Sequence, residues 1–246
     1  MIKFENTEVM NFEGAIRGMR NPLNSWDKSD SYYGCRLSKE TDSVNWNNHK
    51  DGEITRCEGC SWCEPLCWDD ELVGSRREYF LGENDLKLAQ NLIKAGSDHR
   101  KFLRQIFVSV DITAPLYWWK EFDTYKVGTV ANSCSTMHTI HTKELTLDDF
   151  SYEHLGRNGM RILRDTLIVL NEYRFWYEKT KNKSEWWNLI QLLPTSYNQK
   201  RTVTLNYEVL RNIRHSDRRN HKLDEWRIGF MEWIDSLPYA KELLTT

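Results

Sequence analysis

Apolar and polar residues alternate most cleanly from Gln105 to Thr113. Ile106, Val108, Val110 and Ile112 fall on one side, Phe107, Ser109 and Asp111 on the other. A period of two predicts a strand with one buried face. Pro115 lacks the amide proton that a central ladder needs, so the strand is expected to stop before it. The same proline suits the first turn of a helix, and Leu116 to Phe122 reads as a short aromatic one. Elsewhere the period becomes three and four. Asn84 is expected to cap a helix over 85–94, with Leu86, Ala89, Leu92 and Ile93 on one face and Gly96 closing it. The longest predicted helix covers 159–181, where Ile162, Thr166, Val169, Tyr173 and Trp176 recur at helical steps. Ser184 caps a further helix that Pro194 breaks. Two more helices, over 206–214 and 222–236, flank the charged turn 215–220. Near the start, the pattern predicts a short strand at 2–4 and a helix over 12–19, ended by Pro22.

These elements predict an α/β fold of the α+β kind, a helix-rich subunit around a small sheet. The 246 residues divide into an N-terminal segment, 1–83, with an inserted cysteine-rich loop at 35–75, and a core at 84–246. Together they are expected to form one compact domain. The net charge of −2 implies no general affinity for nucleic acid or other polyanions. No apolar run approaches membrane-spanning length, and the first ten residues lack the apolar core of a signal peptide, so a soluble cytoplasmic protein is expected. Eleven Trp and eleven Tyr alter the picture more. Such side chains serve cores, subunit interfaces and flat ring ligands, and an oligomer formed through the aromatic helices is expected.

Three stretches carry candidate chemistry. Cys57, Cys60, Cys63 and Cys67 crowd into one short run. Thiolates at that density suit zinc or an iron–sulfur cluster, with unliganded surface thiols as the alternative. A metal there would staple a loop that has no core of its own. The segment 123–138, directly behind the strand–helix unit, offers Thr124, Tyr125, Thr129, Ser133 and Ser135 as hydroxyls, Asn132 as an amide and Lys126 as a cation. Those groups can bind a phosphate or a sugar. Cys134 stands alone, and a lone thiol is more often inert. In the third stretch, 192–226, Arg214, Arg218 and Arg219 gather with His215 about one Asp, a pattern that suits an anion because the guanidinium fork binds phosphate bidentately.

The order of these motifs resembles the flavin-dependent thymidylate synthases over roughly residues 84–240. The family's Ser-x-x-Glu-His-like entry to a strand corresponds to Ser97-Asp98-His99. Its Arg-His-Arg-x-x-Ser-x-Asn-Glu-x-Ser-x-Arg-Tyr signature corresponds, with one extra residue and many substitutions, to Thr124 through His138. There Lys126 keeps a cation, Thr129 a hydroxyl, and Ser135 matches the active-site serine. The C-terminal pattern corresponds without a gap to Leu193-Pro194, Asn206, Asn212, and His221 with Glu225. A family arginine that holds the pyrimidine nucleotide falls on Asp217, with Arg218 and Arg219 adjoining it. The resemblance implies FAD, NADPH and methylene-tetrahydrofolate, reductive methylation of dUMP, and a homotetramer with active sites between subunits. It implies cofactor binding by His99, Tyr125, Lys126, Thr129, Asn206, Asn212 and His221, substrate binding by Glu121, Asn132, Arg218 and Arg219, and catalysis by Ser135. The alternative is a non-catalytic protein on the same scaffold that captures a nucleotide, such as a signal in conflict between phage and host.

Overall fold

The computed structural model describes residues 2–35, 77–215 and 217–245. In chain order its elements are β1 (Lys3–Met10), α1 (Phe12–Arg20), β2 (Tyr32–Cys35), β3 (Arg77–Phe80) and α2 (Glu83–Ala95). Then come β4 (Phe107–Pro115), α3 (Leu116–Phe122), β5 (Val130–Ser133), α4 (Thr136–Thr139), α5 (Arg157–Thr180) and α6 (Lys183–Leu192). The chain closes with β6 (Asn198–Asn206), α7 (Tyr207–His215), a 3-10 turn (Asp217–Asn220), a π-helical turn (Glu225–Phe230), α8 (Met231–Asp235) and α9 (Ala240–Leu243).

Helices surround a four-stranded antiparallel sheet of order β1-β4-β6-β5. The alternation in β4 explains its central place. Ile106, Val108, Val110 and Ile112 are all fully buried, which stabilises the fold by about 6–12 kcal/mol. A slip of one residue would turn all four outward, so the register is firmly set. The strand does not stop before Pro115, which pairs with Asn198. The β1 ladder ends at Thr113, so the proline sits where β4 is paired on one side only and its missing amide proton costs little.

β6 is a strand that the pattern did not predict. Only Val203 and Leu205 are apolar in its nine residues, and both are buried. Its polar half pairs with the outer half of β4, Lys200 opposite Thr113 and Asn198 opposite Pro115. β1 is longer than predicted and carries an irregularity between Glu5 and Glu8. Asn6 adopts φ +52° there, and its amide donates to Asp111 at 3.0 Å.

α2 starts one residue before Asn84, and its cap comes from a distant loop. The Asn84 and Asp85 amides donate to the Asp30 carboxylate at 2.9 and 3.0 Å. Asp85 is itself fully buried. It accepts from Arg20 Nε at 2.6 Å, Ser29 Oγ at 2.7 Å, Ser31 Oγ at 2.6 Å, and the amides of Asp30 and Ser31 at 3.2 and 3.1 Å. This knot ties α1, the 29–31 loop and α2 together. α6 is capped by Asn182 rather than Ser184: the Asn182 side chain accepts from the Ser184 amide at 3.0 Å. The helix expected over 222–236 is a π-turn followed by α8.

Two cores result. The larger lies against the sheet, where Trp118 of α3 stacks on Trp226 of the π-turn at 4.7 Å and on Phe122 at 5.0 Å. The smaller joins α5 and α6 through Leu163, Leu167, Leu170 and Leu189. The other face of α5 exposes Ile162, Val169 and Trp176, spaced seven apart, with Ile168 and Phe175 beside them. Among the described residues, no helix is long and apolar enough to cross a membrane.

Candidate functional site

α3, the turn behind it and the 3-10 turn after α7 converge on Arg218. Its guanidinium lies over two aromatic faces, 5.1 Å from the Trp226 ring centroid and 5.4 Å from that of Tyr125. Arg218 Nε donates to the Tyr125 hydroxyl at 2.6 Å. Its Nη1 pairs with the Glu121 carboxylate. Burial alone would lower the guanidinium's proton affinity, but the bonds to Tyr125 and Glu121 outweigh it and hold the charge. His221 stands at the rim, its ring 6.2 Å from that of Trp226, and its Nδ1 accepts from the Leu223 amide at 3.1 Å. Behind this wall the Tyr117 hydroxyl donates to the buried Glu225 carboxylate. Burial first, and then that bond, push the tyrosine's proton affinity up. Glu121, Tyr125, Arg218 and His221 are thus brought together around Trp226, which no sequence motif singled out and which is itself fully buried beneath the guanidinium.

Asn206 and Gly128, which precedes Thr129, meet at the next turn of the chain. Asn206 is buried at the end of β6 and caps α7, its side-chain oxygen accepting from the Val209 amide at 3.0 Å. Gly128 packs over it: a Cβ there would lie 2.9 Å from Asn206 Nδ2, and the backbone already sits at φ +75°. Both facts require glycine. The adjacent Thr129 hydroxyl oxygen is buried and has no partner. Lys126 and Arg219 are exposed. Asn132 lies on the exposed strand β5, opposite Thr202. Ser135 does not reach these groups through any bond; its hydroxyl accepts from the His138 amide at 3.2 Å and caps α4.

His99 and Asn212 belong to a second cluster. His99 is exposed, and its neighbour Arg100 makes the contacts. Arg100 binds Glu208 bidentately, with Nε–Oε2 at 2.9 Å and Nη2–Oε1 at 3.0 Å, and its Nη2 lies 3.5 Å from Asn212 Oδ1. Arg211, beside them, is buried and donates to the Leu244 carbonyl at 3.3 Å. Burial pulls its proton affinity down, Arg100 adds to that, and Glu208 opposes it. Arg100 and Glu208 stand 108 positions apart, and nothing in the sequence links them. Cys57, Cys60, Cys63 and Cys67 lie outside the described residues. Among the described residues, no group of three or more His, Cys, Asp or Glu could hold a metal ion.

No family model and no curated protein matches the chain. Solved structures do. A crystal structure of thymidylate synthase X from Helicobacter pylori with FAD and dUMP superposes with a TM-score of 0.60 at 13% identity, covering 99% of this chain and 97% of that one. A second crystal structure of the flavin-dependent thymidylate synthase from Helicobacter pylori, also with FAD and dUMP, gives 0.59 and 13%, covering 98% and 97%. This chain therefore has the flavin-dependent thymidylate synthase fold, a helix-rich subunit about a small antiparallel sheet, as the motif order implied.

Proposed function

We propose that the chain binds a pyrimidine nucleotide together with FAD at the floor built by Arg218, Tyr125 and Trp226, and that it methylates that nucleotide reductively, as on dUMP. The observation that carries this reading is Arg218 itself, a largely buried guanidinium held within 5.1 and 5.4 Å of two ring centroids. A ligand that joins a flat base to a phosphate fits such a site. The fold shared with synthases solved with FAD and dUMP supports the reading. The residues fit a flavin in part: the buried Thr129 oxygen lacks a partner, and buried polar groups of this kind are satisfied by a ligand or by water. Lys126, which is exposed, adds a donor. A flavin bound there would supply the reducing chemistry, while these residues would hold its polar edge.

The second reading, a protein that captures a nucleotide without reacting it, is favoured by Ser135, whose hydroxyl oxygen is engaged as a helix cap. Both readings include a homo-oligomer. The seven-residue spacing of Ile162, Val169 and Trp176 on α5 makes an apolar stripe of the kind that pairs with a second copy of itself.

One preparation tests all of this. Size-exclusion chromatography with light scattering and flavin absorbance should find a yellow oligomer, and dUMP should drive NADPH oxidation that Arg218→Ala abolishes. A colourless protein that binds dUMP without oxidising NADPH would leave only the capturing role. A monomer would retire the α5 interface.

A further inference from the structure

The carboxylate on Arg218 belongs to the protein itself. Arg218 does not depend on it for its place, because two ring faces and the Tyr125 hydroxyl already hold the guanidinium. Glu121 is far less fixed. Its side chain is 38% exposed, against 17% for Arg218, and among the described residues no other group donates to its carboxylate. It also stands in the last turn of α3, where the carbonyl end of a helix disfavours negative charge. A carboxylate and a phosphate use the same fork of the guanidinium. Glu121 therefore sits where an incoming oxyanion would sit, on a cation that stays in position once it leaves.

We propose that Glu121 is a latch on an anion subsite, and that a phosphate monoester enters by displacing it from Arg218. This rests on the reading of the Arg218 floor as a ligand site, and it adds how that site is kept closed. The exchange is physically reasonable. A phosphate monoester carries nearly two negative charges at neutral pH, whereas Glu121 carries one. The displaced carboxylate rotates into water that already wets it. A ligand bearing one negative charge gains no such advantage, so the latch would discriminate by charge before any base is read.

The test uses the full chain and inorganic phosphate, titrated calorimetrically at about pH 7.5, where phosphate is mostly dianionic. Glu121→Gln keeps the shape and removes the charge. It should bind phosphate about fivefold more tightly than the native chain, since exposed pairs of this kind rarely exceed that factor. Glu121→Ala should act in the same direction, which guards against a refolding artefact in either variant. Arg218→Ala should abolish binding, alone and combined with Glu121→Gln. Unchanged or weaker binding by both Glu121 variants would overturn the latch, as would binding that survives Arg218→Ala or no binding by any chain. The broader reading fails differently. If dUMP binds no better than inorganic phosphate, the nucleotide assignment falls while the latch stands.

Discussion

Arg20 and Asp85 meet at 2.6 Å with side-chain exposures of 4% and 0%, whereas Arg218 and Glu121 meet with 17% and 38%. Each pair joins segments far apart in the chain, and each is an arginine with a carboxylate. They differ in which partner is saturated. Asp85 accepts from two hydroxyls and two amides besides its arginine, so five donors hold it in place. At the other pair the arginine is the fixed member and the carboxylate the loose one. Burial with full hydrogen bonding makes an ion pair part of the framework. A half-wet carboxylate on a well-held arginine can be exchanged.

The largest expected effect separates the two at once. Asp85→Ala leaves Arg20 buried without its counter-charge and should cost about 3–5 kcal/mol, lowering the melting temperature by about 10 °C. Glu121→Ala should lower it by a degree or two at most. If both fall equally, the distinction is wrong.

Acid should expose the same contrast less sharply. Burial pushes the Asp85 carboxyl up, but hydrogen bonds from Ser31, Ser29 and Arg20 outweigh it and leave the group below its ordinary 3.8. A carboxyl depressed in the folded state contributes stability that is fully present above that ordinary value. The contribution is lost as pH falls through the folded value. Denaturant melts taken downward from about pH 5 should steepen below pH 4, and Asp85→Asn should flatten that limb. A limb unchanged in Asp85→Asn would assign the acid loss to other groups.

The smallest effect is the coupling itself. A double-mutant cycle on stability should give Arg218 and Glu121 no more than about 1 kcal/mol of interaction, against several for Arg20 and Asp85. Comparable couplings would mean that Glu121 is as much a part of the framework as Asp85.

Much of the framework could be read along the chain because its signals are local. β4 announces itself by alternation, and α5 by its repeat of apolar residues. β6 does not, because one half of it is polar and its identity comes from β4 beside it. The turn over 225–230 was legible as helix but not as π-helix, since the widening carries no residue signature here. The Arg218 floor was half legible. A cluster of arginines at the end of α7 singled out the Arg218 turn and the family resemblance named Glu121 and Tyr125, whereas Trp226 reaches it by tertiary packing alone. The Asp85 knot was invisible for the same reason: its donors lie 54 to 65 positions away. The motif order pointed to the fold although few signature residues match, because the fold is set by the order and spacing of elements more than by the side chains they present outward.

The position of β4 has a consequence for synthesis. The strand is central, yet its longer ladder is with β6, and residues 116–197 lie between them. At translation rates of about 5–20 residues per second, a nascent chain holds the β6-facing edge of β4 unpaired for on the order of ten seconds. During that interval Ile106, Val108, Val110 and Ile112 can be covered by α1, α2 and β1, which precede them, and by α3, which follows directly. The early half of the chain thus acts as the strand's temporary chaperone before it becomes its permanent neighbour.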